Sequence, residues 1–177
     1  VSPNCSELGT GVHFPTAQHP PEKTMSAVVS FNTVPELFTG LFDRYAGTGR
    51  PVLSHWDRQT KTWLDIDWDA LHASVQSMMG YLYEIGVRPG DRVAILSENR
   101  PEWAVTDIAT QLLGAVNVSL YTSLPATQVG YIVKDSGAKV FIVSTGIQLK
   151  KAEAVFADCP ELETVVTMSD MRKEHPD

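Results

Sequence analysis

Short apolar runs set between helical patterns constrain this chain more than any other feature. Val93–Leu96 and Val140–Val143 contain no polar position, and the runs 116–121 and 163–168 are mixed but rich in β-branched residues. A strand with one wet face alternates apolar and polar side chains, whereas a strand that is apolar throughout must be covered on both faces. Between the runs lie segments of about a dozen residues whose apolar side chains recur at helical spacing. Strand and helix in alternation predict a doubly wound α/β fold, a mostly parallel sheet with helices on both faces.

The local signals can be read in order. Val34, Leu37, Phe38, Leu41, Phe42 and Tyr45 predict an amphipathic helix over 35–46, closed by Gly47 and Gly49. Strands over 51–56 and 62–66, with a polar turn at 57–61, predict a hairpin that decorates the sheet. A second helix begins near Asp69, carries Leu71, Val75, Met78, Met79, Leu82 and Ile85 on one face, and stops at Gly86. After the strand 92–96, Asn99 and Glu102 suggest a capping box, with Pro101 at the start of a helix over 103–115. Trp103, Val105, Ile108, Ala109, Leu112 and Leu113 make that helix apolar on most sides, so it is expected to be buried. Pro125 opens a helix that Gly137 ends, and a last helix over 146–157 leads to the final strand. Residues 1–24 show no period, and Met25 is an alternative natural start to Val1.

Length and charge narrow the function classes. A chain of 177 residues suits one domain or a piece of a larger one. Its formal charge of -7 argues against a nucleic-acid-binding face. No apolar run approaches the roughly 18–20 residues needed to span a bilayer, and the first residues lack the basic and apolar regions of a secretory signal. Cys5 and Cys159 have neither disulfide nor metal-ligand spacing, so reduced cytoplasmic thiols are expected.

Two segments are candidates for ligand contact. Ser144, Thr145 and Gly146 join an apolar strand to a helix that runs toward Lys150 and Lys151, where an anion could meet the helix start. Their spacing is not that of a phosphate-binding loop, so a helix cap beside a solvated basic face is the ordinary reading. Tyr121 to Leu124 lie at the carboxyl end of a parallel strand, where open α/β sheets place ligands. Trp103, Met78 and Met79 could line a pocket for an apolar ligand, but their spacing assigns them to the core. Asp107, within an apolar helix, is expected to be partnered or at the helix edge. His13, His19, His55, His72 and His175 show no ligand spacing, and no catalytic or metal-binding residue is assigned.

Several phrases, in order, resemble one family over roughly residues 33–168. These are Thr62-Trp-Leu-Asp with Trp68-Asp-Ala-Leu, and the long stretch from Gly86-Val-Arg-Pro-Gly-Asp to Glu98-Asn-Arg-Pro-Glu-Trp103. Gly114-Ala-Val, Leu120-Tyr-Thr-Ser-Leu-Pro125 and Tyr131-Ile-Val-Lys-Asp-Ser-Gly-Ala138 continue the series. Together they resemble the adenylate-forming, AMP-binding superfamily, and Glu98–Trp103 with Leu120–Pro125 resemble its long-chain fatty acyl-CoA synthetases.

The resemblance implies a two-step ligase. ATP and a fatty acid give an acyl-adenylate and pyrophosphate, and coenzyme A then takes the acyl group. ATP, Mg2+ and coenzyme A are the implied cofactors. The family's phosphate loop, aromatic-Thr-Glu motif, ribose-binding Asp and C-terminal Lys do not occur in these 177 residues. The expectation is therefore a flexible arm over 1–30 and a partial AMP-binding domain over 31–177 that stops before the phosphate loop and is not competent alone. The turn at Tyr121, Thr122 and Ser123 is implied to lie near the nucleotide end of coenzyme A. A cytoplasmic enzyme, peripheral membrane association and a homodimer are further expectations. Two alternatives stay open: another adenylate-forming enzyme, such as an aryl-acid ligase or a reductase adenylation domain, and a non-enzymatic α/β module that binds coenzyme A or acyl-CoA. A flavodoxin-like nucleotide binder would need an anion loop after the first parallel strand, and Leu96-Ser-Glu-Asn-Arg places an acid there instead.

Overall fold

Apolar side chains spaced for helices and strands sort the chain into a helical and hairpin layer and a parallel sheet. The computed structural model describes residues 30–57 and 60–168; the arm expected over 1–30 lies almost wholly outside them. The order is α1 (Val34–Tyr45), β1 (Pro51–Asp57), β2 (Thr62–Asp67), α2 (Trp68–Glu84), β3 (Arg92–Leu96), α3 (Pro101–Leu112), β4 (Val116–Leu120), α4 (Ala126–Ser136), β5 (Val140–Val143), α5 (Gly146–Phe156) and β6 (Thr164–Thr167). β1 and β2 form the expected antiparallel hairpin. The other four strands form one parallel sheet in the order β4-β3-β5-β6.

The unbroken apolar strands are the two central ones. Val93 to Leu96 of β3 and Val140 to Val143 of β5 are all fully buried. Val93, Ile95, Val140 and Ile142 face a core built with α1, α2 and α3. Ala94, Leu96, Phe141 and Val143 face a second core built with α4 and α5. The helices divide this way because the strand order runs outward from β3 in both directions, and right-handed crossovers then fall on opposite faces.

α3 is buried as its composition requires: Val105, Thr106, Ala109 and Thr110 are inaccessible or nearly so, and none of its residues is fully exposed. The two threonines are core positions that hydrophobic spacing did not mark. Their hydroxyls donate to backbone carbonyls one turn back, Thr106 to Glu102 at 2.7 Å and Thr110 to Thr106 at 2.8 Å. A hydroxyl satisfied within its own helix can be buried at little cost.

The capping box expected at Asn99 and Glu102 does not form. Arg100 is the N-cap residue and makes no side-chain cap bond. Glu102 instead takes the Arg100 guanidinium in two contacts, at 2.9 and 3.1 Å. A charge-assisted, bidentate pair outcompetes a single bond to a backbone amide.

Cations close the helix ends at the amino-terminal edge of the sheet. Gly137 ends α4 in the left-handed conformation, φ 60°, and Arg92 donates to the carbonyls of Ser136 (2.9 Å) and Gly137. Lys139 donates to the carbonyl of Gly86, just past α2, at 2.8 Å. Positive charge there satisfies orphan carbonyls and complements the helix dipole.

Two helical glycines should respond to alanine with opposite signs. A Cβ at Gly80, on α2, would meet nothing within 4 Å, whereas one at Gly130, on α4, would lie 2.9 Å from Cγ1 of Val155 on α5. Gly80→Ala should raise stability by about 0.5–1 kcal/mol, and Gly130→Ala should lower it by about 1–3 kcal/mol. Urea unfolding midpoints measure both. Val155→Ala in the Gly130→Ala background should recover part of the loss.

Candidate functional site

The chain leaves β3 toward β4 on one side of the sheet and returns to β5 on the other. The loops after β3 and β5 therefore part in opposite directions, and the crevice at their carboxyl ends is where open α/β sheets bind ligands. Three side chains meet there, two of them buried and one, Glu98, exposed. The Glu98 carboxylate, in the loop after β3, accepts the Ser144 hydroxyl through one oxygen and the Gln148 amide at 3.1 Å through the other. Ser144 is fully buried and Gln148 is 4% exposed. Arg100 Nη1 donates to the Ser144 carbonyl at 3.3 Å, so the two loops are joined at a second point.

These contacts set the acidity of the site. Burial would raise the Glu98 pKa, but the hydrogen bonds from Ser144, its own backbone and Gln148, with the Arg100 charge, outweigh it and hold the carboxyl below the usual range. Glu102 is held low chiefly by its hydrogen bond from Arg100. Both acids are thus ionised near neutral pH.

Beside this crevice, between the ends of β3 and β4, lies a cleft of about 600 Å³. Trp103, Leu120, Tyr121 and Thr122 form part of its wall, and Glu98 and Asn99 supply polar edges. Tyr121 is 80% exposed, so an aromatic face stands at the mouth. The turn that follows closes with a bond from Leu124 N–H to the Tyr121 carbonyl at 3.1 Å. Ser123 is exposed and is not part of the cleft wall.

The basic face expected at Lys150 and Lys151 is only partly solvated. Lys151 Nζ donates to the carbonyls of Thr122 (2.7 Å) and Leu124 (2.9 Å). That ammonium ties the β4 turn to α5 and takes up two carbonyl groups of the turn. The groups of the turn still open to a ligand among the described residues include the hydroxyls of Thr122 and Ser123, donors that suit an anionic or carbonyl oxygen. Thr145 is the N-cap residue of α5, as the sequence suggests, but its side chain makes no cap bond.

The remaining candidates fall into structural places. Met78 and Met79 are half-buried against the α1–α3 core, as expected. Trp103 packs there too but also reaches the cleft. Asp107 is partnered: Gln111 donates to it at 3.0 Å, and Asn117 donates to the same oxygen. His72 stacks on Phe42 with ring centroids 3.8 Å apart; His13, His19, His175 and Cys5 lie outside the described residues. Cys159 is buried, and burial raises its thiol pKa, which makes it a poor nucleophile. Among the described residues no cluster of three metal-ligating side chains occurs, and no helix is long and apolar enough to cross a membrane.

Chemically, this end of the molecule can bind and orient: its hydroxyl–carboxylate contact, Ser144 to Glu98, ties two loops together, and Ser144 is fully buried. The sequence pointed to the start of α5 at Ser144–Gly146 and to the turn after β4 through their positions, and it read the acid after β3 only as an argument against a phosphate loop. It did not reveal the partners of Glu98 and Lys151, which lie 46 to 50 and 27 to 29 residues away. For Glu98 the available signal was a charge just past the apolar strand β3; Lys151, in the middle of α5 beside Lys150, carried none.

Comparison with known proteins places this geometry. Residues 43–177 match the family of AMP-binding enzymes. The long-chain-fatty-acid–CoA ligase FadD15 of Mycobacterium bovis is 31% identical over 107 residues, which is 60% of this chain and 18% of that ligase. The chain thus spans less than a fifth of that relative's length. The N-terminal domain of FACL13 from Mycobacterium tuberculosis superposes with a TM-score of 0.63 at 25% identity, covering 77% of this chain and 34% of that one. The adenylation domain of a carboxylate reductase from Mycobacterium chelonae gives a TM-score of 0.66 at 22% identity, covering 80% and 24%; that likeness is one of fold alone.

The depressed acids make acid lability a test of the site. A carboxyl whose pKa is lowered by folding stabilises the fold above its ordinary pKa, and that contribution is lost as pH falls toward the folded value. Unfolding free energy should be nearly level at neutral pH and fall from about pH 5 to about pH 3. Glu98→Gln should make that fall shallower, as read from urea midpoints across the range; an unchanged slope would show that Glu98 is not held by Ser144 and Gln148.

Proposed function

The chain belongs to the AMP-binding enzyme family, and on that premise we propose that it forms the N-terminal part of a long-chain fatty acid–CoA ligase. The reaction is ATP, fatty acid and coenzyme A to acyl-CoA, AMP and pyrophosphate. The observation that carries the reading is the 31% identity to a long-chain ligase over 107 residues. The stretch 86–103, which resembles such ligases, builds β3 and the loop bearing Glu98. The likeness to a reductase adenylation domain is of fold, so it does not redirect the substrate choice.

In this reading the chain supplies scaffold and one binding wall. The central strand and its two cores hold the carboxyl-end loops in place, and Lys151 fixes the turn after β4. Tyr121 and Thr122 form the wall on the coenzyme A side, with Ser123 exposed beside it: an aromatic face for a planar group, and hydroxyl donors for its oxygens. ATP and Mg2+ would be held by other parts of the ligase, since the matching motifs do not occur in these residues. The chain alone would not catalyse. The ligase would be cytoplasmic, with peripheral membrane association suited to a lipid substrate and a homodimeric state.

Two measurements test this. A polypeptide carrying this chain and the rest of the ligase should exchange pyrophosphate into ATP in the presence of a long-chain fatty acid, and the 177-residue chain should show no exchange. Preference for an aryl acid, or exchange by the short chain, would contradict the reading. In the active polypeptide Ser123→Glu should raise the KM for coenzyme A roughly tenfold by placing a like charge near its phosphates, equivalent to about 1.4 kcal/mol. The exchange half-reaction uses no coenzyme A and should not share that loss.

A further inference from the structure

We propose that the Glu98 carboxylate is a built-in anion, seated at the start of α5 in a position shaped for a phosphate-type oxyanion. α5 is an 11-residue helix whose first turn opens on the β3–β5 crevice. Its own N-cap side chain, Thr145, contributes no cap bond. A helix start presents amide N–H groups and the positive end of the dipole, and an acid placed there is favourable. The acid comes from another strand: Glu98 reaches across from the β3 loop to the Ser144 hydroxyl before the cap and to the Gln148 amide in the first turn.

The surroundings offer more polar groups than a carboxylate can use. Gln148 is 4% exposed, and its Oε1 has no hydrogen-bond partner among the described residues. Thr145 Oγ1, three residues earlier, is buried and without a hydrogen-bond partner among the described residues as well. A buried acceptor without a donor is costly and calls for one. A carboxylate has no proton to give. Hydrogen phosphate has one P–OH that can donate to Gln148 Oε1, and its other oxygens can accept from Ser144, Gln148 Nε2 and Thr145. The set therefore fits a tetrahedral, partly protonated oxyanion better than the planar group now in it.

The consequence is exclusion. With Glu98 in place a free phosphate would meet a fixed negative charge at bonding distance from its own donors, which opposes binding. Glu98 is itself exposed, so it guards the crevice against phosphates by its charge and not by filling it. A phosphate-bearing cofactor must then be held elsewhere, which agrees with a coenzyme A wall on the neighbouring β4 turn but does not require it.

The test is inorganic phosphate added to the full 177-residue chain and to Glu98→Ala, at ionic strength matched with chloride. In the variant, phosphate should raise Tm and shift the amide resonances of Gly146, Ile147 and Gln148, with a Kd at least tenfold lower than in the unsubstituted chain. Formate, which replaces the deleted carboxylate, should compete with phosphate in the variant. Equal phosphate binding by both proteins, or none by a folded Glu98→Ala chain, would overturn the proposal. Should Glu98→Ala not fold, Ser144→Ala keeps the acid and deletes one of its bonds. The Glu98 carboxyl resonance should then titrate closer to the ordinary carboxylate range, and an unmoved titration would likewise overturn it.

Discussion

The rest of the structure depends on the burial of β3 between β4 and β5. Val93, Ala94, Ile95 and Leu96 are all inaccessible, and each large apolar side chain so placed contributes roughly 1.5–3 kcal/mol. None of that is available unless both neighbouring strands pair and both faces are covered. The two cores follow from this requirement: the odd-numbered positions of β3 bury against α1–α3 and the even-numbered ones against α4 and α5. Buried backbone groups must also be paired, and the parallel ladders on either side of β3 do this. Parallel pairing in turn sends every connecting helix back across the sheet, so the loops that carry polar side chains emerge together at one end.

Charge is distributed along the sheet in keeping with that geometry. At the amino-terminal edge, cations meet helix ends: Arg92 the carbonyls closing α4, and Lys139 the carbonyl just past α2. At the carboxyl edge, an anion meets a helix start: Glu98 at α5. Both arrangements follow the helix dipole, but they differ in consequence. The cations occupy positions that only the chain's own backbone could use. The acid occupies a position that an external ligand could use, beside a cleft with an exposed tyrosine.

Much of the fold was legible in the sequence because it rests on local patterns. The helix ended by Gly86, the hairpin, the apolar strand Val140–Val143 and the helix ended by Gly137 all lie within a residue or two of their expected bounds. The misses share a cause. Thr106 and Thr110 looked polar but are buried, because their hydroxyls bond within the helix. Glu102 looked like half of a capping box, yet a guanidinium two residues away took it. Lys151 looked like part of a solvated face, yet its ammonium reaches a turn on another strand. In each case a hydrogen bond or charge pair fixed by the folded geometry overrode a reading based on residue type. The candidate site was legible only as a location, the carboxyl ends of the strands, because the contacts that build it are nearly all long-range.

The functional account rests on this chain being one portion of a ligase, providing a rigid sheet end and one wall for a cofactor. The most direct test is the size of the native polypeptide, probed in a source extract with an antibody to residues 33–168. A band several times larger than 19.4 kDa is predicted. A single band at 19.4 kDa would contradict the ligase assignment and leave a binding or accessory module in its place.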